Sequence, residues 1–126
     1  MYEISVSQSF DAAHFLREYR GRCARMHGHT WKVEAVVEGE ELGPSQLLVD
    51  FNDLKGLLRE VVDDFDHACL NDLPPFDRES PTSENVARII FQRLQGKVES
   101  LGTPVRLLKV RVSESPETSV VYAPRP

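Results

Sequence analysis

Two histidines flank a glycine at His27-Gly28-His29, and Cys23 stands four residues upstream of the first. In an extended strand, residues i and i+2 point to one face. Both imidazoles can therefore hold one metal ion while Gly28 lies on the other side. Three protein ligands with an open fourth position mark a catalytic zinc site rather than a closed structural one. The chemistry in view is Lewis-acid activation beside a thiol able to act as nucleophile or base.

A third ligand must come from a small set, because the chain has 4 His, the others being His14 and His67. Tyr2, Ile4, Val6 and Phe10 alternate with Glu3, Ser5, Ser7 and Ser9, which is strand periodicity, and His14 has the parity of the apolar set. Further on, Trp31, Val33, Ala35 and Val37 share parity with His27 and His29, while Thr30, Lys32, Glu34 and Glu38 fall on the other side. If these strands pair as antiparallel neighbours, His14, His27 and His29 converge at one end of the core-facing side. The condition is that the first strand continues through Asp11–Ala13.

The elements that must position these groups follow from pattern and punctuation. Gly39, Gly43 and Pro44 mark a turn after the second strand. A helix is predicted from Asp50 to about Ala68, with Phe51, Leu54, Leu58, Val61 and Phe65 at helical steps and Asp50 as N-cap. After a Pro- and Asp-rich loop, a second helix is predicted from Ser83 to about Leu94, capped from Ser80 or Thr82. Gly96, Gly102 and Pro104 punctuate the next loop. Two strands follow, at 105–114 and 118–123, with Leu108, Val110 and Val112 expected on the buried side. The order ββααββ is an α+β pattern, a four-stranded antiparallel sheet with two helices on one face.

At 126 residues, with 40% hydrophobic and 28% charged residues, the chain reads as one domain spanning 1–126. A net charge of −5 excludes a general nucleic-acid binder. No apolar run approaches the ~18 residues of a membrane span, and no apolar leader follows Met1. The 2 Cys do not form a secreted disulfide framework, which points to a soluble protein in a reducing cytoplasm.

Several polar residues break the pattern. Glu114 has the parity of the buried side of its strand, so it is either solvated past the strand's end or a carboxylate placed to accept two N–H groups from a guanidine-like ring edge; Glu117, after Pro116, reads as turn. Asp66-His67, at the end of the first helix, is either a surface pair near the helix dipole or a general acid/base pair, the latter only if the helix ends there. Cys23 lies among Arg17, Arg20, Arg22 and Arg25, surroundings that favour a reactive thiol over a packing one. The same arginines are either a solvated loop or an anion site. Cys69 and Trp31 read as packing, Thr82 as a cap.

Taken in order, Phe10-Asp11-Ala12-Ala13-His14, Cys23-x-x-x-His27-Gly28-His29, Val49-Asp50-Phe51, Asp66-His67-x-x-Leu70-Asn71, Pro81-Thr82-Ser83-Glu84-Asn85 and Glu114 span nearly the whole chain. The chain resembles the 6-pyruvoyltetrahydropterin synthase family, including its 6-carboxytetrahydropterin synthase branch in queuosine biosynthesis. The three-residue gap between Cys23 and His27 is similar to that of the carboxy branch. The resemblance implies the tunnelling fold, with trimers closing into barrels and two trimers stacking into a homohexamer with active sites between subunits. It implies Zn2+ on His14, His27 and His29, a catalytic triad of Cys23, Asp66 and His67, and Glu114 as the pterin anchor. The implied substrate is 7,8-dihydroneopterin triphosphate, leaving as 6-carboxy-5,6,7,8-tetrahydropterin, acetaldehyde and triphosphate. The alternatives are a 6-pyruvoyl-forming enzyme on the same site and a non-catalytic pterin- or metal-binding protein.

Overall fold

The computed structural model describes residues 1–125. Strand β1 (Tyr2–His14) pairs antiparallel with β2 (His27–Gly39), and β2 pairs with β4 (Val105–Ser115), which pairs with β5 (Thr118–Tyr122). A two-residue strand β3 (Ala68–Cys69) runs parallel to β1 beside Ala12 and Ala13, giving the order β3-β1-β2-β4-β5. The sheet is therefore five-stranded, where pattern predicts four. Two residues of mixed exposure carry no readable periodicity, so β3 leaves no signal in the sequence.

Helices α1 (Phe51–Val62) and α2 (Ser83–Glu99) pack on one face of the sheet, and one apolar core forms between the layers around Trp31, Phe65, Phe76, Leu58 and Ile90. Asp50 caps α1 by accepting from Asn52 N–H at 2.7 Å, and Thr82 caps α2 by accepting from Asn85 N–H at 3.1 Å. Among the described residues, no helix is long and apolar enough to cross a membrane.

Three boundaries differ from expectation. Helix α1 stops at Val62, not near Ala68, because Asp63, Asp64 and Asp66 would crowd the negative end of its dipole. The chain turns there, with His67 at φ 58. Helix α2 runs on to Glu99, carrying the exposed Gly96 inside it, because Val98 adds a further buried position to the stripe of Ile90 and Leu94. In β4 the register shifts opposite Val36 and Val37, so Leu108 is a bulge residue; Val105 and Leu107 face the core before it, Val110 and Val112 after it.

A Cβ built at Gly96 meets nothing within 4 Å. Gly96→Ala is expected to stabilise the fold by about 0.5–1 kcal/mol through helix propensity, read as a higher denaturation midpoint in urea; an unchanged or lower midpoint would contradict the helical placement.

Candidate active site

The β1–β2 register sets the first group of residues. His14 stands opposite His27, and Ala12 opposite His29, so all three imidazoles lie on the core face beyond Phe10 and Trp31. Ring centroids are 4.6 Å apart for His14–His27, 5.1 Å for His14–His29 and 4.8 Å for His27–His29. Trp31 forms the floor, edge-on to His14 at 4.8 Å, with its Nε1–H donating to Ala12 O at 3.2 Å.

His14, 1% exposed, donates through Nδ1 to Pro81 O at 2.7 Å, and His27 Nδ1 donates to Arg25 O at 2.6 Å. Those carbonyls hold the proton on Nδ1 and leave Nε2 as a lone pair. The Nε2 atoms of His14, His27 and His29 are all buried without a hydrogen-bond partner, and the ligand atoms of the three residues lie within 4.8 Å of one another. Burial holds His14 and His29 below the ordinary histidine value, so both are neutral near pH 7. Three imidazoles with converging, unpartnered Nε2 atoms, two of them oriented from behind by carbonyls, fit a divalent metal with nitrogen preference and an open position.

Glu114 reaches the same place. Strand β4 continues past Ser113, and the half-buried Glu114 puts Oε2 3.4 Å from His29 Nε2 and Oε1 3.8 Å from His14 Nε2. Ser83 Oγ donates to Oε1 at 2.6 Å. Pairing of β2 with β4 begins only at Lys32–Ser113, and where the strands splay beyond it an open cleft of about 760 Å³ runs past His29 and Glu114.

A second cluster lies on the opposite face. Asp66 Oδ2 is 3.0 Å from His67 Nδ1, and its Oδ1 accepts from Asp11 N–H at 3.0 Å. His67 N–H in turn donates to Asp11 O at 2.6 Å, and Thr30 Oγ1 donates to Asp11 Oδ1 at 2.6 Å. The Asp11 N–H, then His67, hold the Asp66 carboxyl below the usual carboxylate range. An ionised Asp66 can orient the ring, which is 78% exposed. Asp11 and Thr30 have the opposite parity to His14 and His29, so the β1–β2 ribbon stands between this pair and the three imidazoles.

Residues 3–125 match the family model described as 6-pyruvoyl tetrahydropterin synthase. The chain belongs to this family. It is 37% identical over 129 residues to the 6-carboxy-5,6,7,8-tetrahydropterin synthase of Bacillus subtilis, covering 98% of this chain and 86% of the relative. The enzyme of that name from Synechocystis is 36% identical, with 97% and 93% covered. The structure of Caenorhabditis elegans 6-pyruvoyl tetrahydropterin synthase superposes with a TM-score of 0.85 at 28% identity, covering 98% of this chain and 96% of that one. These relatives support a tetrahydropterin synthase function, and the fold matches that of the family.

Of the residues singled out in the sequence, His14, His27, His29 and Glu114 come together in this family member, and Asp66 with His67 form a separate pair. Cys23 belongs to neither group. It sits in a single turn of 3₁₀ helix, Arg22–Ala24, where its carbonyl accepts from Leu16 N–H at 2.7 Å. Arg17 is not a free anion contact: Nη1 donates to Phe76 O at 2.7 Å and Glu79 O at 3.1 Å. Sequence reasoning assigned no role to Asn71, which is 5% exposed and makes paired bonds to the Phe15 N–H and C=O at 2.9 and 3.1 Å. Its signal in the sequence was its place in the Asp66-His67-x-x-Leu70-Asn71 motif. Asp11 and Ser83, quoted only as motif letters, hold Asp66–His67 and Glu114 respectively.

His27→Ala is expected to lose most bound metal while keeping its circular dichroism; full metal content by plasma emission spectrometry would remove the cluster as the metal site. For the metal-free protein, unfolding returns His14 and His29 to about 6.5. The unfolded chain then binds more protons below that pH, so stability holds above about pH 6.5 and falls as pH drops through the lower folded-state values. Thermal melts should show this fall, and His14→Gln should reduce it; an equal fall in the variant would assign the dependence to other groups.

Proposed function

We propose that the chain is a zinc-dependent lyase that converts 7,8-dihydroneopterin triphosphate to 6-carboxy-5,6,7,8-tetrahydropterin, acetaldehyde and triphosphate, in the cytoplasm, as a step of queuosine biosynthesis. The observation that carries this reading is the buried trio of unpartnered Nε2 atoms, with Glu114 beside it at the head of an open cleft. The carboxy outcome is supported by the names of the Bacillus and Synechocystis relatives and by the Cys23–His27 spacing.

Zinc, when bound, would supply Lewis-acid polarisation of the substrate's side-chain hydroxyls. The remaining work falls to the chain's own groups. Glu114 accepts two N–H groups from the amino-pyrimidinone edge and so orients the ring. Cys23, as thiolate, takes a proton from the side chain on one side. His67, oriented by Asp66, moves a proton on the other. Triphosphate departs by elimination; water then adds at the side-chain carbon bonded to the ring, and the bond from that carbon to the next breaks, releasing acetaldehyde and leaving the 6-carboxyl group. The electron shifts are internal to the substrate and water, so no redox cofactor takes part. The Arg-rich loop would meet the polyphosphate, through arginines other than Arg17.

The separation of the two clusters across the β1–β2 ribbon supports a site completed by a second chain, with Asp66–His67 of one subunit serving the metal of another. Among the described residues the outer edge of β1 from Tyr2 to Phe10, where Ser9 O accepts from Arg59, and that of β5 pair with no further strand, as edges that join between subunits of a homohexamer would. The structural likeness to a pyruvoyl-forming enzyme keeps that product as the second reading.

Mass spectrometry of the products formed by zinc-loaded protein tests the reaction. 6-Carboxytetrahydropterin with acetaldehyde is expected; a 6-pyruvoyl product moves the chain to the other branch, and metal-bound protein without turnover makes it a binding protein. Cys23→Ala and His67→Asn should each lose turnover with zinc retained. Refolded together as mixed oligomers they should regain part of it, because a shared site can draw an intact Cys23 and an intact His67 from different chains. No recovery in verified mixed oligomers would place both groups in one chain.

A further inference from the structure

Glu114 meets the imidazoles in a way that a pterin anchor does not require. Its two oxygens lie 3.4 Å from His29 Nε2 and 3.8 Å from His14 Nε2. Since His14 commits its Nδ1 proton to Pro81 O, its Nε2 presents a bare lone pair. A lone pair and a carboxylate oxygen both carry negative charge density, and in a buried site they repel. The approach becomes favourable when a cation lies between them. Ligand atoms on a tetrahedral zinc ion with bonds of about 2.0 Å are about 3.3 Å apart, close to the separations seen here.

Ser83 supplies the second half of the arrangement. It opens the first turn of α2, directly after the cap Thr82, and its hydroxyl holds Oε1 at 2.6 Å. Oε1, 3.8 Å from His14 Nε2, is thus fixed by a hydroxyl at a helix N-terminus, while Oε2 is left free, 3.4 Å from His29 Nε2. The carboxylate is 24% exposed and lines the cleft.

We propose that Glu114 closes the fourth position of the metal in the substrate-free protein and leaves it for the pterin ring edge when substrate arrives. This rests on His14, His27 and His29 being the metal site. With Oε1 held by Ser83 and Oε2 turned toward the imidazoles, a carboxylate that ligates the metal is not aimed at the ring edge, so the two partners compete for it. The metal's open position then appears only when a guanidine-like edge has drawn Glu114 away, which ties activation to recognition of the ring. By reciprocity, a bare pterin that reaches Glu114 without side-chain hydroxyls for the metal must weaken metal binding by the same factor by which metal weakens its own binding.

Cobalt(II) provides the readout. Metal-free wild type, Glu114→Gln, Ser83→Ala and His27→Ala are titrated with Co2+ against a competing chelator while visible d–d bands are recorded, and circular dichroism checks each fold. Glu114→Gln is expected to bind Co2+ at least tenfold more weakly with shifted bands. Ser83→Ala, which frees the carboxylate from its hydroxyl, should bind at least as tightly as wild type. Bare pterin added to the wild-type Co2+ protein should move its bands toward those of Glu114→Gln. Wild-type bands in Glu114→Gln, with or without lower affinity, would overturn the ligation. Wild-type affinity and bands in His27→Ala would instead overturn the metal site itself, so the two failures are distinguishable.

Discussion

The antiparallel pairing of β1 with β2 is the constraint on which the rest depends. The register that sets His14 opposite His27 puts three imidazoles on the core face and, one residue out of phase, sets Asp11 opposite Thr30 on the other. A slip by one residue would turn either strand's side chains over and scatter both groups. The ladder is continuous over all thirteen positions from Tyr2–Gly39 to His14–His27, and the stacked rings of Phe10 and Trp31, 5.8 Å apart, stand directly behind the imidazole end. The same pair of strands therefore builds the imidazole cluster and, through Asp11 backbone groups, holds the Asp66–His67 pair.

Where β1 ends, four consecutive residues are each tied down. His14 bonds to Pro81 O, Phe15 to Asn71, Leu16 to the Cys23 carbonyl, and Arg17 to Phe76 O, Glu79 O and the Ser80 hydroxyl. This seam joins the loop carrying Cys23 to the segment between Leu70 and Pro81 that leads into α2. The Asn71 amide satisfies both main-chain groups of Phe15 and is itself satisfied, so its burial carries no unpaired polar group. An arginine spent on carbonyls explains how a loop of exposed charge can keep a defined path: the guanidinium fork supplies bonds that the irregular backbone cannot make within itself.

The legible parts of the sequence were those set by local period. Alternation in β1 and β2 carried the parity of His14, and the caps at Asp50 and Thr82 carried the helix starts. What escaped was set by tertiary contact. The bulge at Leu108 exchanges two neighbouring leucines of equal hydrophobicity, so no pattern distinguishes it. Strand β3 exists because Asp11 offers a carbonyl to His67 and an N–H to Asp66, which places the next two residues alongside β1. Gly96 reads as a break, but the buried neighbours of α2 outweigh its propensity. The partners of the site residues, Asn71, Ser83 and Pro81, were present as letters of motifs; only folding gave them their bonds.

The two faces of the ribbon also explain why so small a chain can keep opposed chemistries apart. On the core-facing side, burial disfavours the charged form of His14 and His29. The Asp66–His67 pair, out on the other face, keeps its carboxylate ionised through a main-chain N–H. A proton-moving pair adjacent to ligating imidazoles would compete with metal for their lone pairs, and a carboxylate aimed at them would repel a neutral ring but bind a metal. Separating the groups by one strand's thickness within the chain lets each be tuned by its own surroundings.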